Sequence, residues 1–114
     1  MLGTKMPLVA GRTIVFKRGS HSSSAITAWV ANVEYDITDK NGVTVSMMRD
    51  NWTMLATDVV IGGAQITPRD GDRITETLNG VAIEYEVVPV GTRKSCEFLD
   101  TSGNLLLVHT KKVA

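Results

Sequence analysis

Of cysteine, proline and aromatic residues the 114 positions hold very little: one cysteine, Cys96, three prolines and six aromatics. One thiol excludes an intrachain disulfide framework and a cysteine-rich zinc ribbon. The two histidines, His21 and His109, lie far apart, without the close spacings that zinc sites use. No apolar run approaches the ~20 residues that span a bilayer, so no membrane partner is expected. Twelve basic side chains offset twelve acidic ones, whereas a dedicated nucleic-acid binder carries a clear basic excess. The aromatics are scattered instead of gathered on one strand pair with cations, so a stacking platform for single strands is not expected. Sequence-specific binding of DNA or RNA is therefore disfavoured.

Catalytic and cofactor signatures are missing as well. There is no Gly-x-Ser-x-Gly elbow, and Gly62-Gly63 has neither a third glycine nor a following Gly-Lys-Ser/Thr to cradle phosphate. Asp70-Gly71-Asp72 lacks the long ligand-bearing loop of a calcium site; it reads as a turn in which Pro68 fixes one φ, Gly71 opens the bend and Asp72 caps backbone amides. His109, in Leu105-Leu106-Leu107-Val108-His109-Thr110, reads as a satisfied strand-end histidine ahead of a general base. Cys96 reads as a packed thiol. Glu84 and Glu86 alternate along one strand, and with Glu76 they are expected to form a solvated acidic face. No catalytic residue, metal ligand or cofactor is assigned.

What the chain does have is period two. Thr13 to Arg18 is short, β-branched and aromatic. Between Ala25 and Ile37, the residues Trp29, Ala31, Val33, Tyr35 and Ile37 share one face, opposite Asn32, Glu34 and Asp36. That pattern predicts core positions for Trp29 and Tyr35. Residues 38–42 end in Asn-Gly and predict a hairpin turn into the alternating Val43, Val45 and Met47. Asn79-Gly80 predicts a second hairpin, whose outgoing strand stops at Pro89. A third strand pair is predicted over 94–99 and 105–110. Helix evidence is confined to 53–61, enough for one short turn. Strand signals every ten residues or so read as an all-β fold: a small antiparallel barrel or sandwich of about seven or eight strands. The division expected is a flexible arm over residues 1–10, which contains Pro7 and no packing period, followed by one β domain over 11–114. The arm carries no sustained apolar stretch, so no secretory signal is expected there.

Charge is unevenly laid out along the chain. Residues 1–33 hold Lys5, Arg12, Lys17 and Arg18 and no acid; 34–90 hold ten acids and four bases; 91–114 hold two acids and four bases. Such segregation suits contact between unlike patches on neighbouring copies, unless folding intermixes the blocks. The candidate protein-contact residues are Lys17 and Arg18 from the first block. Asp39 and Lys40, with Arg93 and Lys94, come from glycine-bearing loops, and Trp52 is the aromatic candidate, although burial is the safer reading for it.

Four phrases in order carry a family resemblance: Ile14-Val15-Phe16-Lys17-Arg18-Gly19; Arg49-Asp50-Asn51-Trp52; Ile66-Thr67-Pro68-Arg69-Asp70-Gly71-Asp72-Arg73-Ile74, followed by Tyr85-Glu86-Val87; and Leu107-Val108-His109-Thr110-Lys111. In these the chain resembles the small head–tail joining (connector, head-closure) proteins of tailed bacteriophages and prophages. It departs from them in two places. No helix pattern precedes the first strand, and Ser95-Cys96-Glu97-Phe98 stands where such chains tend to carry a tryptophan. The resemblance implies a β-rich structural virion protein without an active site or cofactor, made in the host cytoplasm. It implies assembly as a ring between portal complex and tail, with portal, adaptor and tail proteins as partners, and it allows a monomeric subunit before assembly. Another β-rich tail component or a small-barrel protein-binding module is the alternative, with a small enzyme the third reading.

Overall fold

The computed structural model describes residues 11–113; the expected arm over 1–10 lies outside them. Nine strands and one 3₁₀ turn follow in order: β1 (Arg12–Arg18), β2 (His21–Thr38), β3 (Thr44–Leu55), the 3₁₀ turn (Ala56–Asp58), β4 (Val60–Ile61), β5 (Ala64–Gln65), β6 (Arg73–Leu78), β7 (Val81–Val87), β8 (Cys96–Phe98) and β9 (Leu105–Lys112). The main sheet runs β3-β2-β1-β6-β7-β9-β8, and β3 pairs with β9 as well. That second pairing closes β1, β2, β3, β9, β7 and β6 into a six-stranded antiparallel barrel, so the expected all-β class holds. β9 is the pivot: β3 lies along one edge, while β7 and β8 share the other.

The barrel fills as alternation demands. Ile14 and Phe16 of β1, Ile26 and Ala28 of β2, Trp52 and Met54 of β3, Ile74 of β6, Tyr85 and Val87 of β7, and Leu106 and Val108 of β9 form one buried cluster. Trp52 packs edge-on against Tyr85 at 5.1 Å between ring centroids. The Ser22-Ser23-Ser24 run shapes the wall: the β1–β2 register shifts between Val15 and Lys17, and the Ser23 hydroxyl accepts the Phe16 amide at 3.0 Å. The side chain thus supplies the acceptor that the bulge takes from the ladder.

Turn chemistry follows the sequence closely. Asn79 and Gly80 take φ of 52° and 81° between Leu78 and Val81, as a two-residue hairpin of the primed type requires. At the other hairpin, Asp39 Oδ1 accepts the amides of Asn41 and Val43. The 67–72 loop closes as anticipated. Gly71 has φ 92°, Asp72 Oδ2 accepts the Arg69 amide, and Pro68 is buried.

Two expectations fail, both from reading one face too simply. Trp29 is not a core residue but 44% exposed. Inside the barrel the even positions of β2 point inward. Beyond it, β2 and β3 run on as a two-stranded ribbon whose odd face, Val33, Tyr35 and Ile37, is the half-buried one. Trp29 sits at the changeover, its ring against the backbone of Gly11. Glu76 does not join Glu84 and Glu86 in a solvated face. It lies opposite Ile83, turned into the barrel and 1% exposed, whereas Glu84 lies opposite Thr75.

Candidate functional site

The ribbon's odd face is covered by a strap, residues 88–97, that crosses from β7 to β8. The strap is tied to β9 by the Val88 amide on His109 O (3.0 Å) and the His109 amide on Ser95 O (2.8 Å), and it bends at a Val90–Arg93 bridge. Gly91 is needed at the crossing: its φ is +57°, and a Cβ there would sit 3.1 Å from Ile37 Cδ1. Arg93 stacks over the Tyr35 ring at 5.8 Å and pairs with Glu97 at 3.5 Å. Under the strap lies a polar knot. His109, wholly buried, has Nδ1 3.0 Å from Asn51 Oδ1 and Nε2 3.1 Å from Glu97 Oε2. Asn51 Nδ2 donates to the Tyr35 hydroxyl at 2.7 Å. Both ring nitrogens of His109 are thus engaged in fastening ribbon, β9 and strap together, the satisfied histidine anticipated from sequence. Cys96 is half-buried with its thiol pushed up to about 11, by burial first and then by the Glu97 carboxylate. A thiol so placed is a poor nucleophile at neutral pH.

The candidate contact residues are dispersed over the molecule. Lys17 lies on the outer wall of β1, beside Arg73 and Glu84 in a shallow cleft. Arg18 is turned inward: Nε and Nη2 donate to Asp72 at 3.0 and 2.8 Å, and Nη2 also reaches Thr67 O. The Asp72 hydrogen bond raises its pKa further. It is a staple for the 67–72 loop, with about a quarter of its side chain still exposed (26%). Asp39 spends its carboxylate on the ribbon turn, leaving Lys40 as the exposed charge there. Trp52 drops out as a contact residue, and burial, the safer reading of it, holds. At 0% exposure inside the barrel it offers no surface, because its even position on β3 points into the closed wall. Arg93 is committed to the strap. Lys94 is exposed at the rim of an open groove of about 770 Å³, with Thr67, Pro68, Arg69, Cys96 and Phe98 on its walls.

Folding also intermixes the charge blocks. Arg12 pairs with Glu76 at 3.1 Å and Arg18 with Asp72 at 2.8 Å, so cations of the first block are spent on acids of the second. What the sequence reading missed is the ribbon itself. The length of the alternating run from His21 to Thr38, set against the short β1, was the available signal.

The geometry is that of a small barrel with a projecting ribbon, and the four phrases quoted above occupy its β1, its β3, its 67–72 loop with β7, and β9. The family described as phage head-tail joining protein matches residues 2–114. The chain belongs to the phage head–tail joining proteins. No curated protein and no solved structure gives a significant match. Membership of this family makes the chain a structural connector of the virion, in contact with other head and tail proteins.

Proposed function

We propose that this head–tail joining protein assembles as a ring of identical subunits between portal complex and tail, after synthesis in the host cytoplasm. The observation that carries the reading is the family match across 2–114. The fold supports it: a rigid barrel gives each subunit a fixed body, and the ribbon extends that body toward a neighbour. Ring closure requires a heterologous interface, one face of a subunit meeting a different face of the next. Lys17, Lys40 and Lys94 are the candidate cations left for such contacts. A portal template raises the local concentration of subunits without adding contacts to the isolated chain.

The test is electron microscopy of the purified protein mixed with the portal complex of the phage that encodes it. A ring of added density on the tail-facing end of the portal is expected. A portal left bare at saturating protein contradicts the proposal.

A further inference from the structure

The two strands of the ribbon end their outside pairings early. β1 accompanies β2 only as far as the Arg12–Ala28 pair, and β9 accompanies β3 only as far as Thr110–Asp50. Beyond those points β2 and β3 pair with each other, without a register shift, to Thr38–Thr44. Residues 31–38 of β2 and 44–49 of β3 therefore each present one edge that no strand among the described residues pairs. At roughly 3.3 Å per residue the β2 edge runs for about 25 Å. Such an edge is a template for another strand unless a bulge, a proline or an inward charge blunts it. Here there is no bulge and no proline, and the lysine of the ribbon is at its tip, Lys40.

We infer that the ribbon pairs edge to edge with a second copy of the chain, β2 of one subunit beside β3 of the next. This rests on the ring reading and names its contact. The two open edges belong to antiparallel strands, so in a ring every β2 meets a neighbouring β3 antiparallel. Each subunit then adds two strands to a shared sheet that closes on itself. The side chains match in that pairing and clash in the symmetrical one. Paired residues share a face, and rotational symmetry keeps the odd faces together. On the even face Glu34 and Asp36 come beside Thr44, Ser46 and Met48, which carry no charge. On the odd face Val33, Tyr35 and Ile37 meet Val43 and Val45, the two valines more than half exposed in the single chain. A β2–β2 contact instead sets carboxylates against carboxylates, which is destabilising. The strap fills the odd side of every ribbon, so the even face with Glu34 and Asp36 turns toward the axis.

The test uses the full chain with one added cysteine per copy. Glu34→Cys protein, carrying a mass tag, is mixed with Ser46→Cys protein under mild oxidation; wild type, whose Cys96 is half-buried, is the control. Both positions are exposed, and a second pair, Glu34→Cys with the equally exposed Thr44→Cys, covers a two-residue difference in register. Mixed disulfide exceeding either self-product about tenfold in at least one pair is the expected result. Equal self-products overturn the inference. So does absence of mixed product in both pairs, including the case where the chain's own first ten residues occupy the β2 edge. Rings on the portal without mixed disulfide remove the edge pairing and keep the ring. Mixed disulfide without rings does the reverse.

Discussion

The Glu76 carboxylate sits inside the barrel wall with two donors, Arg12 Nη1 at 3.1 Å and the Tyr85 hydroxyl at 3.1 Å. A buried carboxylate persists only when donors replace its water, and here the ring that fills the core also supplies one of them. The same arrangement pushes Tyr85 up to about 12, through burial first and then the Glu76 charge and hydrogen bond. Its sign can be worked through. An unfolded tyrosine ionises near 10, so between about pH 10 and 12 the unfolded chain has lost a proton that the folded chain keeps. Folding stability is unaffected by this group below pH 10 and falls as pH rises through that window. Urea melts at stepped alkaline pH should show the decline, and Tyr85→Phe should lack that part of it. An identical alkaline decline in the variant contradicts the assignment. At this scale the sequence was partly legible. Gly71, Asp72 and Asn79-Gly80 announce their turns because their chemistry is local. Glu76 was misread because alternation gives two faces and does not say which faces the core.

At the scale of the element, the decisive feature is a strand pair that changes its buried face part-way. Even positions of β2 and β3 are covered while the barrel surrounds them; beyond it the odd positions of β2 are the half-covered ones, with the strap against Tyr35 and Ile37. The strap carries no period and begins fifty residues after the end of β2, so nothing local to β2 announces it. Trp29 therefore read as core although it is exposed, while for Trp52, the aromatic contact candidate, burial was the safer reading and is what the barrel shows. The two tryptophans supply a quantitative check. Trp52→Ala removes a fully buried ring and should cost about 3–5 kcal/mol. Trp29→Ala gives up only part of a ring's burial and should cost about 1 kcal/mol. Chemical denaturation of both variants measures the difference, and equal losses would refute the account of the changeover.

At the scale of the whole molecule, closure of six strands leaves the barrel few edges, and the ribbon is where unpaired backbone is concentrated. The body keeps its shape through internal pairs, Arg12–Glu76, Arg18–Asp72 and the knot around His109. The uneven charge of the linear chain is therefore partly consumed within it. The β class and the strand pairs were legible in the sequence because alternation and turn residues recur throughout. The family was legible because its phrases lie along strands and turns that build the barrel. Barrel closure was not, since the β3–β9 contact joins residues about fifty to sixty apart and leaves no local mark. The central claim, that this protein joins head to tail as a structural piece, is tested most directly in its own phage with the gene silenced. Filled heads and free tails should accumulate separately, and adding the purified chain to that lysate should yield tailed particles. Tailed, infectious particles formed without the protein would contradict the account.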